Sequence, residues 1–333
     1  MNRNIDKFIA MAEACVKNHE LAPGKYQRWK WQNERGTRDL GSTVYGCSDA
    51  ANILYMIGKF PRDYETRKAC VDELQSFQQE DGCFRDPTHC MLHTTAHCIA
   101  ALELFDAGVK YPLTYHMQQF GTPDKVRAFL ESLKWDTDPW GQSHHGAGFY
   151  AAMILACDMP LEWQDSYFGW LCENNDPVTG IGRKDHGDTK ILQHHLNGWF
   201  HYMFNFEFTH RAFPNAEKLI DNCIDIYKKK EFQHVYPWGL GCGFAEIDWV
   251  FALNRASRHT GYRRQEALEL MRDFAEDYLT YLENIDVDTD DRFNDLHELF
   301  GAMCCVAELQ IAFPDEIRST FPLKNVLDRR PFI

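Results

Sequence analysis

At 333 residues, 44% hydrophobic and 25% charged, the chain has ordinary globular composition and enough material for a substantial core; composition leaves one large domain or two small ones open, and the helix pattern leads to the expectation that residues 1–333 form a single domain. Its net charge of -14 argues against nucleic acid and against an acidic membrane surface, because phosphate binding needs clustered Lys and Arg and here they are scattered. The same acidity leaves room for a locally basic cleft, since net charge governs long-range steering and not the field inside one pocket.

Helical periodicity runs through almost the whole chain and predicts twelve helices. In order, they cover residues 5–19, 48–59, 63–79, 92–107, 123–133, 143–157, 162–174, 193–207, 214–228, 243–258, 263–284 and 293–312. The odd members, such as 63–79 and 263–284, are amphipathic with charged faces, which suits an outer layer wetted on one side. The even members are richer in Ala, Cys, Phe and Met, as in Ala147-Gly148-Phe149-Tyr150-Ala151-Ala152. Helices apolar nearly all round belong inside. Six alternations of outer and inner helix, without intervening strands, predict an all-α fold: an (α/α)6 barrel, or toroid, of six helical hairpins.

No apolar run approaches the roughly 18 residues of a membrane span. Residues 1–20 alternate polar and apolar positions at helical spacing instead of building a signal peptide, so a cytoplasmic location is expected. The 12 cysteines sit mostly in apolar helical stretches, as Cys98, Cys157, Cys304 and Cys305 do, which points to buried reduced thiols.

Inner-to-outer connections are mostly short, like 60–62, 160–161 and 259–261, with 108–124 a longer exception. Outer-to-inner connections are long and carry Gly, Pro and aromatics: 21–47, 80–91, 175–192 and 231–242. In an alternating barrel the long loops emerge at one end, and long loops on a rigid scaffold usually carry function. The first turns of the inner helices face that end. They hold Asp49, then His93 and His97, His144 and His145, then His194, His195 and Asn197, Glu246 and Asp248, and finally Asp295, His297 and Glu298. Burying such groups costs several kcal/mol unless each finds a partner, so their convergence predicts a pocket. The positive helix N-termini would favour an anionic group in it.

The stretch Gln78-Gln79-Glu80-Asp81-Gly82-Cys83-Phe84, followed by His93-Thr94-Thr95-Ala96-His97-Cys98-Ile99-Ala100-Ala101-Leu102, resembles a repeat of the terpenoid-cyclase and prenyltransferase toroids. Asp176-Pro177-Val178-Thr179-Gly180-Ile181-Gly182 is a looser copy. The helix count is also similar to the (α/α)6 barrels of six-hairpin glycosidases, sugar 2-epimerases and polysaccharide lyases. The resemblance implies the fold and leaves the reaction open. Asp288-Thr289-Asp290-Asp291 matches the DxDD pattern of class II terpene cyclases, but it falls between helices and reads as a solvated acidic turn; a DDxxD motif is absent.

A carbohydrate substrate, an oligosaccharide, draws on other residues. Trp29, Trp31, Tyr45, Trp140, Trp163, Tyr236 and Trp238 fall in or near the loops, where flat aromatic faces can stack on sugar rings, and Trp199 is added to that substrate-binding set. Imidazoles near neutral pKa suit proton abstraction next to a carboxylate, as in uronate elimination or sugar epimerisation. In that reading Arg183 and Asn197 bind the substrate carboxylate, His194 or His195 is the base, and Tyr202 or Tyr150 is the acid. Asp49, His297 and Glu298 complete the binding set. A glycoside hydrolase would use paired carboxyls such as Glu246 and Asp248. A toroid that binds sugar without turnover is a third class. No cofactor is expected and no metal set is assigned: His93 and His97 have the i, i+4 spacing of two ligands, yet no HExxH-type acid and no third ligand accompany them.

Overall fold

A computed structural model describes residues 1–182, 192–230 and 244–332. It is mostly helical, with fourteen helices among the described residues: α1 (Asp6–His19), α2 (Val44–Met56), α3 (Tyr64–Ser76), α4 (Met91–Leu104), α5 (Thr114–Phe120), α6 (Pro123–Ser132), α7 (Pro139–Ala156), α8 (Leu161–Asn174), α9 (Leu192–Phe208), α10 (Ala216–Lys228), α11 (Phe244–His259), α12 (Arg264–Glu283), α13 (Asp291–Asn294) and α14 (Leu296–Ala312). All twelve expected helices have a counterpart; α5 and α13 are additional. The strands described are two-residue and three-residue pieces, such as Arg3–Asn4 beside Ile317–Arg318.

Two of the differences from expectation have local reasons. The second helix begins at Val44, not residue 48, because the Thr43 hydroxyl caps it by accepting from the Gly46 amide at 3.1 Å. Such a cap contributes about 1 kcal/mol, and it brings Tyr45 into the first turn. The 108–124 stretch, expected as a loop, contains α5, which is followed by a Thr122 cap and Pro123 at the start of α6.

The apolar helices pack in cyclic order. Helix α2 lies against α4, α4 against α7, α7 against α9, α9 against α11, α11 against α14, and α14 against α2. Their side chains are buried on nearly every face, as in α14 from Leu299 to Leu309. The amphipathic members flank them: α1 contacts α2 and α14, α10 contacts α11, and α12 contacts α11 and α14. No helix among the described residues is long and apolar enough to cross a membrane. The eleven described cysteines are free thiols.

The turn noticed in the sequence and its looser copy share one device. Gln78 bridges to Phe84 and Asn175 to Gly182 in antiparallel fashion, and the Gln78 and Asn175 side chains donate to the carbonyls of Gly82 and Ile181 at 2.9 and 3.0 Å. Gly82 and Gly180 sit at φ +87° and +70°, where a Cβ would come within 2.3 Å of the Pro112 oxygen and 2.4 Å of the Leu219 nitrogen. Both turns hold the chain close to the outer layer just before an inner helix starts.

The chain end is also part of the interior. After a 3-10 turn at Val326–Asp328, Arg330 and Phe332 are fully buried among inner-helix side chains. Asn205 of α9 donates to the Pro331 carbonyl at 2.8 Å.

Candidate functional site

Five inner helices bring histidines, one aspartate and one tyrosine to a common centre. From α2 come Tyr45 and Asp49, four residues apart and therefore on one face. Helix α4 supplies His93 and His97 at the same spacing, α7 supplies His144, α9 supplies His201, and α14 supplies His297. His89, just before α4, stacks on the Tyr45 ring at 4.3 Å.

The site divides into two halves. In the first, Asp49 is fully buried and accepts two hydrogen bonds: from His97 Nε2 at 2.8 Å and from His297 Nδ1 at 3.0 Å. An ionised carboxylate has no proton to give, so both imidazoles must be the donors. Burial pushes the Asp49 carboxyl up, but the two histidines outweigh it and hold the group well below the ordinary carboxylate range. Burial lowers His97 to about 4 against the pull of Asp49, so its ring is neutral near pH 7. His97 Nδ1 faces the Arg330 guanidinium at 3.4 Å, and Arg330 also donates to Asn52 at 2.7 Å. His97 is thus occupied on both nitrogens. His297 is not: Asp49 holds its Nδ1, and Nε2 has no partner among the described residues.

In the second half, His93, His144 and His201 place ring nitrogens within 4.8 Å of one another. Ring centroids lie 4.6 Å apart for His93 and His144 and 4.9 Å for His144 and His201, with the planes at 62° and 81°. Burial is the main cause that depresses all three; repulsion from His144 adds to it at His93 and His201, and repulsion from His145 and then His297 adds to it at His144, which falls to about 4. Tyr45 hydrogen-bonds His93 Nδ1 at 2.6 Å, and Ser143 hydrogen-bonds His201 Nδ1 at 3.0 Å.

His144 also lines a cleft of about 350 Å³ with Thr137, Asp138, Trp140, Gly141 and His194. Trp140 is half-buried, with its ring centroid 6.4 Å from that of His194. No family model, no curated protein and no solved structure matches this chain. The chemistry therefore has to be read from the residues themselves.

Of the residues singled out in the sequence, Asp49, His93, His97, His144, His297 and Tyr45 are brought together, while His194 and Trp140 flank the cleft. The i, i+4 pair His93 and His97 is split between the two halves instead of acting as one unit. Asn197 is fully buried on the His201 face of α9, and its amide has no hydrogen-bond partner among the described residues. His145, one residue past His144 and so turned about 100° around the helix, is only half-buried. His195 is buried on α9. Glu246 and Asp248 are buried on α11, where burial and then Glu246 raise the Asp248 carboxyl well above its usual range. Glu298, at the start of α14, is raised by burial and then by Asp295.

Other residues singled out in the sequence have these surroundings. Tyr150 stacks on Tyr167 at 4.1 Å and on Trp163 at 5.4 Å, both on α8, and Tyr202 stacks on Trp135 at 5.0 Å with Trp199 at 5.8 Å. The Tyr150 ring thus packs against the outer helix α8, and the Tyr202 and Trp199 rings pack with Trp135 of the α6–α7 connection. Trp163 is buried in α8, donating to the Phe120 carbonyl at 2.6 Å. Trp29 forms a backbone bridge to Asp295 and carries the Arg28 guanidinium 4.4 Å from its ring, while Trp31 is half-buried nearby. The acidic turn serves structure: Asp290 caps α13 and Asp291 pairs with Arg38 at 2.6 Å. Arg183, Tyr236 and Trp238 lie outside the described residues.

Sequence reasoning missed His201, Arg330, Phe332 and Ser143. His201 had a usable signal, since it continues the Gln193 and Asn197 stripe at i+4 and all three are buried. Arg330 had none, because nothing in a polar C-terminal sequence announces insertion between inner helices.

Proposed function

We propose that this protein is an enzyme that moves a proton on a small carbohydrate, of the lyase or epimerase type acting on a uronate, and that its scaffold is a closed (α/α)6 ring. The cyclic packing order of the six apolar helices supports the ring. The observation that carries the chemistry is one buried carboxylate, Asp49, holding two imidazoles from different helices at 2.8 and 3.0 Å.

Asp49 fixes the His297 tautomer with the proton on Nδ1, leaving an Nε2 lone pair as the base. When His297 takes a proton from the carbon next to a substrate carboxylate, the imidazolium that forms already donates to an anion. His97, pinned between Asp49 and Arg330, keeps that anion in place. The unpartnered Asn197 amide can donate to the substrate carboxylate, and Trp140 offers a flat face at the cleft mouth. A hydrolytic reading rests on Asp248, a carboxyl kept protonated by burial as a general acid must be.

A melting-temperature screen against uronate oligosaccharides, neutral sugars and prenyl diphosphates tests the substrate class. Stabilisation by uronates alone is the expected result; stabilisation by prenyl diphosphates alone would move the protein to isoprenoid chemistry. Asp248→Asn abolishing turnover while His297→Gln leaves it intact would favour hydrolysis.

A further inference from the structure

We infer that His93, His144 and His201 form a binding site for one divalent transition-metal ion of the zinc type, held by Nε2 of His93 and His201 and one ring nitrogen of His144, with a fourth position open toward the Trp140 cleft.

The hydrogen-bond pattern fixes which nitrogen is available. The Thr94 hydroxyl donates its only proton to the Cys90 carbonyl at 3.1 Å, so at 3.4 Å it accepts from the Tyr45 hydroxyl. With its proton on Thr94, the Tyr45 oxygen accepts from His93 Nδ1–H at 2.6 Å. Ser143 repeats the arrangement: its hydroxyl donates to the Trp140 carbonyl at 2.6 Å, so it accepts from His201 Nδ1–H at 3.0 Å. Both imidazoles therefore keep a lone pair on Nε2, and neither Nε2 has a hydrogen-bond partner among the described residues. Metal-bound histidines show this signature, with the remote N–H donated to a protein oxygen that sets tautomer and ring direction.

The size also fits. A tetrahedral zinc with bonds of about 2.1 Å needs ligand nitrogens about 3.4 Å apart. The three side chains offer nitrogens within 4.8 Å of one another, a gap that a shift of under about 1 Å in each ring closes. The ring planes cross at 62°, 81° and 73°, so the three imidazoles approach one another from different directions.

The other candidate set, Asp49, His97 and His297, is less suited. Its protons are committed to internal hydrogen bonds, and the Arg330 cation already lies 3.4 Å from His97. The three-histidine set contains no such bond and no cation. His144 belongs to both the set and the cleft, so an ion there would face whatever enters beside Trp140 and His194.

The site stands independently of the proton-transfer reading. Calorimetric titration of the tag-free, chelator-treated full chain with zinc should show one tight equivalent. Cobalt should give the visible bands of a tetrahedral site without thiolate charge-transfer absorption. His201→Gln and His144→Asn should each weaken binding at least ~100-fold, and Tyr45→Phe, which keeps the ring packing, about 10- to 100-fold. His259→Gln should bind as the parent does. Absence of a stoichiometric ion, thiolate bands, unchanged affinity in folded His201→Gln and His144→Asn, or a loss confined to Asp49→Asn would each overturn the inference. A chain that binds zinc as described yet turns over no sugar would retain this site and lose the proposed reaction.

Discussion

Replacing Asp49 by Asn separates positioning from stability. The carboxylate accepts from both His97 and His297. An amide offers one acceptor and one donor, so one of the two imidazoles must present a lone pair instead of a proton. His97 cannot do so cheaply: protonation on Nδ1 would set a donor against Arg330, 3.4 Å away. His297 therefore switches, placing its proton on Nε2 and losing the basic lone pair. The two hydrogen bonds to a charged group contribute about 1.5–3 kcal/mol each. Burying the carboxylate costs several kcal/mol, which Asn does not incur. The terms largely offset, so Asp49→Asn should melt within about 8 °C of the parent. Turnover should fall about 1,000- to 10,000-fold, the scale on which a wrong histidine tautomer acts elsewhere. Long-range 1H–15N spectra of the imidazoles read the tautomers without any substrate. A folded Asp49→Asn protein whose His297 keeps the Nδ1–H form, or whose turnover stays within tenfold, would refute the reasoning.

Other outcomes follow from the packing. Truncation after Asp328 removes Arg330 and Phe332 from the interior, strands the Asn52 and Asn205 amides and opens a cavity, and should cost about 3–5 kcal/mol in a denaturant melt. Glu308 is fully buried and accepts from Arg255 at 2.7 and 2.8 Å. Because Arg255 keeps Glu207 and Asp328 as partners at 3.1 and 2.7 Å, Glu308→Gln should cost about 3 kcal/mol, the low end for breaking a buried pair. Burial raises the Glu308 carboxyl, yet Arg255 outweighs it and holds it below the usual value. That contribution is present above the unfolded pKa of about 4.3 and is lost as pH falls through the folded value, so the gap between parent and Glu308→Gln should narrow on acidification. Gly82→Ala adds a Cβ within 2.3 Å of a backbone oxygen at positive φ and should cost about 1–3 kcal/mol of stability, read as a lowered melting temperature.

The all-helical character was legible because apolar residues recur at helical spacing in one long segment after another. The alternation of amphipathic and apolar helices also foretold which six would pack on one another. Helix ends were less legible: Thr43 moves one start by four residues through a side-chain cap that periodicity does not register. At the site, polar residues expected in the first turns of separate apolar helices include Asp49, His93, His97, His144 and His297, which the structure brings together. What the sequence hid was pairing across helices. Nothing in its order says that His93 belongs with His144 and His201 while His97 belongs with Asp49, because that depends on the rotation of each helix about its axis. The same rotation separates the tyrosines from the histidines of their helices: Tyr202, one residue past His201, is turned about 100° around α9, and Tyr150, six past His144, about 240° around α7.

The most direct test of the proton-transfer claim is deuterium wash-in from D2O at C5 of a bound uronate oligosaccharide. The parent protein should exchange that hydrogen and His297→Gln should not. A uronate that binds the parent without exchanging it, or exchange that survives His297→Gln, would contradict the assignment of His297 as the base.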